Sequence, residues 1–193
     1  DFVSGEATPC LCDHESWHKI HQNFLKIRII ILLRNPVNRT FLYYHHIFGA
    51  LKNCRSFEQE IEQDILNKDS HSVFFNTHEV TRTVRSDCLR QSLYVYWVRE
   101  WIELFGKENI LVLKSEDFYQ KTQSAMEKVC SFLERERHQL LDYPPANQGE
   151  YVEIDSSLRR TLGEYFYPHN QRLMDLLDMD FGFEYDSYQS YRY

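Results

Sequence analysis

Arg34 stands at a position where its side chain could bind an anion. It follows a run of β-branched and leucine residues, 27–33, and precedes Asn35–Pro36, which is a turn signal. An arginine between the carboxyl end of a buried strand and the start of a helix lies where open α/β sheets bind anionic ligands. Its planar fork of donors suits a phosphate. The pattern predicts an anion site at Arg34; the alternative is that Arg34 only ends the strand and pairs with a carboxylate.

Polar residues also follow a second predicted strand. Residues 109–114 form a short apolar run, and Ser115, Glu116 and Asp117 come directly after it. A lone serine after a strand is commonly a helix or turn cap, so capping is the alternative to ligand binding for Ser115. Because both runs share a strand–polar–helix pattern, we expect 27–33 and 109–114 to be adjacent or near-adjacent parallel strands. Arg34 and Ser115 should then lie at the same edge of the sheet.

Helical segments separate and follow these strands. In residues 89–105 the apolar positions, among them Leu93, Trp97 and Trp101, fall on one helical face, and Gly106 is a predicted stop. Other helices are predicted at 56–67 (opened by a capping box from Ser56 to Gln59), 122–133, 156–167 and 168–177. Residues 71–87 and 143–151 are predicted loops. Strands that alternate with helices imply parallel pairing, so the predicted fold class is α/β, in one domain over 1–193.

Composition excludes several classes of protein. The net charge of −7 argues against a nonspecific nucleic-acid binder, because there is no basic excess to release counterions. Cys10 and Cys12 do not have a zinc-site spacing, and His14, His18 and His21 do not complete a recognised site, so no metal is predicted. No stretch of the sequence reaches the apolar length of a membrane span.

Four segments of the chain match a known family in order: 5–17 (an acidic strand-end segment), 29–44, 93–117 and 165–177. Together they resemble the sulfotransferase superfamily. The resemblance is especially to Golgi carbohydrate sulfotransferases of the chondroitin N-acetylgalactosamine 4-sulfate 6-O-sulfotransferase type. That superfamily moves a sulfuryl group from 3′-phosphoadenosine 5′-phosphosulfate (PAPS) to an acceptor. The resemblance implies a partial, three-layer, P-loop-transferase-like domain, with PAPS as donor and a glycan as acceptor. It also suggests the Golgi lumen, with the cytoplasm as the alternative.

The resemblance assigns roles to individual residues. Glu6 matches the acidic position that serves as general base in several carbohydrate sulfotransferases; the alternative is a surface glutamate at a strand end. Arg34 matches the residue that binds the 3′-phosphate, and Arg39 either contacts the same phosphate or is an ion-pairing helix residue. Ser115 occupies the position where related enzymes contact the nucleotide.

The chain departs from the family pattern at three places. The glycine-rich phosphosulfate loop of the family lies upstream of the acidic segment, so we expect that this chain is truncated at its amino end. Leu42 stands where a serine is usual, and leucine has no donor for a phosphate. Residues 147–150 lack the expected basic patch. These departures keep a second hypothesis open: a noncatalytic, sulfotransferase-like glycan-binding or scaffolding module. A kinase-like P-loop transferase is not supported, because there is no Walker motif.

Overall fold

A computed structural model describes residues 4–7, 14–24, 26–48, 55–66, 88–137, 139 and 154–183. The elements in these ranges are, in chain order, helix α1 (His14–Asn23), strand β1 (Ile29–Leu33), helices α2 (Pro36–Phe48), α3 (Phe57–Leu66) and α4 (Tyr94–Phe105), strand β2 (Ile110–Lys114), and helices α5 (Ser115–Gln120), α6 (Thr122–Phe132) and α7 (Ser156–Leu177). Short 3₁₀ turns at Arg90–Ser92 and Lys107–Asn109 precede α4 and β2. The predicted loops at 71–87 and 143–151, with Arg82 and Arg85, lie outside the described residues.

The two strands are adjacent and parallel. Their register runs from Ile29 opposite Ile110 to Leu33 opposite Lys114. Both strands therefore end at the same edge of the sheet, and the next residue along each chain segment is Arg34 or Ser115. This arrangement confirms the predicted pairing and the α/β fold class.

The sheet packs against helices through alternating side chains. Ile31, Leu33 and Val112 belong to a core cluster that includes residues of α4. Leu113 points to the opposite face by strand alternation and is also buried, and both α5 and α6 contact β2. The region around β2 thus has helices on both faces, as a three-layer α/β domain requires. The outer face of β1 is more open, because Ile30 and Leu32 are 38% and 46% exposed.

An aromatic group forms the centre of this first core cluster. Trp17 from α1 lies 5.9 Å from Trp97 and 5.3 Å from Trp101, measured between ring centroids, and Trp101 stacks on Phe105 at 5.2 Å. A second cluster joins α2, α3 and α7, where Phe41 contacts the edge of Phe57 at 5.1 Å. We expected the helix at 89–105 to bury Leu93, Trp97 and Trp101 against the sheet. This is confirmed for Trp97 and Trp101, which lie in the cluster of the strands, whereas Leu93 is buried in the second cluster instead.

One long helix replaces the two that the sequence predicts at 156–167 and 168–177. Helix α7 runs from Ser156 to Leu177 with Pro168 inside it, so the prediction of a break was wrong. Pro168 is exposed and has no N–H to donate to the carbonyl one turn earlier, which usually breaks a helix. The helix continues past Pro168 because one face of it stays buried along its length. The buried residues of this face are spaced by four, four and three positions: Leu162, Phe166, Asn170 and Leu173.

The helix predicted at 89–105 also differs at its start. The backbone leaves helical geometry at Leu93 (φ −81°, ψ 63°), which separates the 3₁₀ turn from α4. Gly106 ends α4 as predicted, with a φ of +82° that favours glycine. The predicted capping box is confirmed, since the Gln59 N–H donates to the Ser56 hydroxyl at 3.3 Å and the Ser56 N–H donates to the Gln59 side chain at 3.1 Å. Helix α1 was not predicted.

Among the described helices, none is long and apolar enough to cross a membrane.

Replacing Trp101 by alanine should lower the free energy of unfolding by about 3–5 kcal/mol, because the ring is 7% exposed and packs between two other aromatic rings. Urea unfolding followed by fluorescence measures this. Tyr167→Ala is the control: Tyr167 is 51% exposed and its loss should change stability by less than about 0.5 kcal/mol. Similar losses in both variants would contradict the packing described here.

Candidate functional site

The turn that carries Arg34 is built by its two neighbours. Asn35 caps α2, because its side-chain oxygen accepts hydrogen bonds from the backbone N–H groups of Val37 at 3.0 Å and Asn38 at 3.3 Å. Pro36 is the first helical residue, as the sequence predicts, and needs no partner for an N–H. Since Asn35 already satisfies these N–H groups, the start of α2 leaves an anion to be held mainly by side chains such as Arg34. Arg34 is half-buried there.

Ser115 begins α5 at the end of the neighbouring strand. The cap position of this helix is Lys114, and no side chain makes a capping hydrogen bond there. Capping, the alternative role for Ser115, is therefore not what the structure shows. The Ser115 side chain is half-buried, and its hydroxyl makes no hydrogen bond within the part of the chain that is described. It can donate to a ligand at the same edge as Arg34.

Glu116 connects the two strand ends. Its side chain is 2% exposed, and one carboxylate oxygen, Oε1, accepts the backbone N–H of Asn35 at 2.8 Å. The other oxygen, Oε2, is buried without a hydrogen-bond partner among the described residues. Sequence reasoning grouped Glu116 with Ser115 and Asp117 but gave it no role. A buried carboxylate cannot be recognised from a polar run that could equally lie in solvent.

Tyr94 lies beneath the Arg34 turn at the start of α4 and is 5% exposed. Burial raises the pKa of its hydroxyl above the usual value, and the nearby Glu116 carboxylate raises it further. The guanidinium groups of Arg39 and Arg34 and a backbone hydrogen bond from Arg34 lower that pKa, but burial dominates. We call these four residues, Arg34, Arg39, Tyr94 and Glu116, the strand-end cluster.

Arg39 is tied to the protein more firmly than the sequence suggests. Its Nη2 donates to the Gln91 side-chain oxygen at 2.5 Å, and its Nη1 donates to the Cys88 carbonyl at 3.5 Å. The guanidinium also lies over the Tyr43 ring, 4.5 Å from its centroid. These contacts join α2 to the 3₁₀ turn before α4. Arg39 therefore contributes positive charge to the cluster while two of its hydrogen bonds serve the fold.

Leu42 packs against the second core cluster. One turn earlier on the same helix, Asn38 accepts a hydrogen bond from the Arg159 Nη1 of α7 at 3.0 Å. Sequence reasoning missed Arg159, because nothing in the local sequence links residue 159 to residue 38. The face of α2 that lacks the family's serine thus carries the Asn38 amide, and the Arg159 guanidinium of α7 lies against it.

Glu6, the predicted base, lies in the exposed stretch from Ser4 to Ala7. In the part of the chain that the structure describes, no hydrogen bond or ion pair joins Glu6 to the strand-end cluster. The structure therefore puts Arg34 and Ser115 at the same edge of the sheet and Arg39 in the first turns of α2, but it does not join Glu6 to them. No group of three or more possible metal ligands occurs among the described residues.

Comparison with known proteins identifies the family. A family model described as sulfotransferase domain matches residues 6–145, which is more than half of the chain. The chain belongs to the sulfotransferase domain family. The match begins at Glu6 and includes Arg34, Arg39 and Ser115. It confirms the resemblance seen in the sequence.

Relatives and a solved structure agree with this membership. Carbohydrate sulfotransferase 15 of Mus musculus is 27% identical over 179 residues, covering 82% of this chain and 31% of its own length. The membrane-associated sulfotransferase kil1 of Dictyostelium discoideum is 22% identical, covering 92% of this chain and 52% of its own length. A sulfotransferase from Alicyclobacillus acidocaldarius has the same fold, with a TM-score of 0.62 at 23% identity over 85% of this chain and 60% of that one. This sulfotransferase-family chain therefore spans about a third of the mouse protein.

The raised pKa of Tyr94 predicts how stability depends on pH. Because the folded pKa is above the ordinary value of 10.0, the fold favours the protonated hydroxyl, and this contribution is complete below pH 10. It is lost as the pH rises above 10 toward the folded pKa. At pH 11 the loss from Tyr94 should be about 1 kcal/mol. Burial also raises the pKa of Tyr165, to about 12, so that residue acts in the same direction.

Unfolding measurements at pH 8 and pH 11 test this. Tyr94→Phe should make the fall in stability between these pH values smaller than in the wild type. Tyr167→Phe, at an exposed position, should leave the fall unchanged. Parallel pH profiles for wild type and Tyr94→Phe would be the contrary result.

Proposed function

We propose that this chain belongs to an enzyme that transfers a sulfuryl group from PAPS to a carbohydrate hydroxyl, and that the strand-end edge binds the nucleotide. Family membership supports the reaction class, and the carbohydrate acceptor is suggested by relatives named carbohydrate sulfotransferase. The observation that carries the proposal is that Arg34 and Ser115 directly follow two paired, parallel strand ends. Ligands of open α/β sheets bind at such edges.

The residues at this edge suit the 3′-phosphate of the nucleotide. Arg34 supplies two parallel donors for phosphate oxygens, and Ser115 supplies a hydroxyl. Arg39 adds positive charge from α2 and keeps the helix docked on the Cys88–Gln91 segment. In a chain with a net charge of −7, this local charge has to provide the attraction for an anionic donor.

Glu6 is the proposed general base. A sugar hydroxyl is a poor nucleophile, so a carboxylate that takes its proton promotes attack on sulfur. The acceptor oxygen then bonds to the sulfur of PAPS as the bond between that sulfur and the 5′-phosphate oxygen breaks. The electron pair of the broken bond leaves with the product, adenosine 3′,5′-bisphosphate. The exposure of Glu6 suits a residue that must meet a large acceptor.

Leu42 favours a second candidate function. Its side chain packs into the second core cluster, so α2 offers the phosphate no hydroxyl at that position. A noncatalytic glycan-binding or scaffolding module of the same fold would tolerate this. The transfer assay below separates the two candidates, because such a module would show no transfer at all.

We propose that the protein acts in the Golgi lumen, which the family resemblance supports, with the cytoplasm as the alternative. Imaging of the tagged protein with Golgi and cytosolic markers decides between these compartments.

Arg34→Ala in the full-length protein should weaken binding of adenosine 3′,5′-bisphosphate by about 1.5–3 kcal/mol, the range for a hydrogen bond to a charged group. Arg34→Lys should restore only part of the affinity, because an ammonium group cannot bind a phosphate through a planar fork. Isothermal titration calorimetry measures both variants. Arg99→Ala, at an exposed position of α4, is the control and should bind like the wild type. Unchanged affinity in Arg34→Ala would show that the phosphate binds elsewhere.

Glu6→Gln in the full-length protein should slow sulfate transfer by roughly 100-fold or more, because a general base contributes about 10² to 10⁴ in rate. Nucleotide affinity should stay nearly constant, since Glu6 contacts the acceptor. A radiolabelled transfer assay with chondroitin-type and heparan-type acceptors measures the rate and identifies the acceptor class. Glu58→Gln, an exposed position of α3, is the control. Full activity in Glu6→Gln would end the assignment of this base.

A further inference from the structure

Glu116 is a buried carboxylate that makes one hydrogen bond within the described part of the chain. Its side chain is 2% exposed, and its Oε2 atom has no partner among the described residues. Burying a charged group is costly unless its hydrogen bonds and charge are compensated. A core position filled by a leucine or methionine would avoid this cost. The position of the carboxylate therefore calls for a reason other than packing.

The hydrogen bond of Glu116 extends the pairing of the two strands past their ends. The last register pair is Leu33 with Lys114, and two residues further on each side lie Asn35 and Glu116. There the Asn35 N–H donates to Glu116 Oε1 at 2.8 Å. Asn35 is the residue directly after Arg34, so this bond fixes the backbone from which the Arg34 side chain projects.

The charge of Glu116 acts on the same cluster. Glu116, Arg34 and Arg39 each act electrostatically on the buried Tyr94 hydroxyl, so the carboxylate belongs to the same charged cluster as the two arginines. A buried hydrogen bond that holds the Asn35 backbone favours an Arg34 cation that is already in place when a ligand arrives.

We propose that Glu116 is a positioning residue for Arg34: its buried carboxylate holds the Asn35 N–H, which fixes the backbone that directs the Arg34 side chain. The proposal rests on the proposed function of Arg34 as a phosphate ligand. Glu116 is not assigned any contact with the ligand. Its effect on binding should therefore vanish when Arg34 is absent.

A double-mutant cycle in the full-length protein tests this dependence, with adenosine 3′,5′-bisphosphate as the probe in calorimetry. Glu116→Gln keeps the shape and the acceptor oxygen but removes the charge, so affinity should fall about tenfold, the difference between a charged and a neutral hydrogen-bond acceptor. In the Arg34→Ala background the same change should alter affinity by less than about twofold. Asp117→Asn is the matched control, because Asp117 is the adjacent acidic residue and is exposed; it should bind like the wild type.

Amide hydrogen exchange at Asn35, followed by NMR without nucleotide, gives a second readout. Glu116→Gln should speed exchange of this amide by about tenfold, and Asp117→Asn should not.

Wild-type affinity in Glu116→Gln together with weak binding by Arg34→Ala would overturn the positioning role and leave the proposed function intact. A tenfold loss in both backgrounds would also overturn it, because it would show that Glu116 acts independently of Arg34. If the wild type binds no bisphosphate, the proposed function is wrong, and the exchange rate still decides whether Glu116 holds the turn.

Discussion

The parallel pairing of β1 and β2 is the constraint on which the site depends. Because Leu33 lies opposite Lys114, the two segments that leave the sheet start side by side. Arg34 and Ser115 come from positions 81 residues apart, and no local interaction would bring them together. A shift of the register by one residue would also turn every buried side chain of β1 to the opposite face. Core packing at Ile31 and Leu33 therefore fixes the register, and the register fixes the site.

The structure has two hydrophobic clusters, and the chain passes from one to the other between Leu93 and Tyr94. Leu93 belongs to the cluster of α2, α3 and α7, whereas Tyr94 belongs to the cluster of β1, β2 and α4. The nonhelical backbone at Leu93 lets neighbouring residues face different cores. Helix α7 joins the clusters, with Phe166 in one and Leu173 in the other. Continuous burial along α7 is what offsets the missing hydrogen bond at Pro168.

The sequence could predict features whose cause is local. The strands follow from short runs of β-branched residues, and the start of α2 follows from Asn35–Pro36. Features that depend on distant contacts could not be predicted. The break at Leu93 and the continuity at Pro168 both arise because tertiary burial outweighs local propensity. One exception is the edge shared by Arg34 and Ser115, which was predictable because parallel strands of such a sheet end at the same edge. The burial of Glu116 and the contact between Arg159 and Asn38 follow no such rule and were not predictable.

The strand-end cluster also shows why this edge depends on side-chain charge. A helix start often attracts an anion through its unpaired N–H groups, but at α2 the Asn35 side chain already occupies two of them. Arg39 donates hydrogen bonds to Gln91 and Cys88, and the Leu42 side chain has no hydrogen-bond donor. On the β1 side of the edge, Arg34 is then the side chain best suited to bind an anion, and the Ser115 hydroxyl lies across the strand pair. In the proposed site, a misdirected Arg34 guanidinium would lose both of its parallel hydrogen bonds at once. Rigid support at Arg34 therefore matters, and the hydrogen bond from Asn35 to the buried Glu116 supplies it.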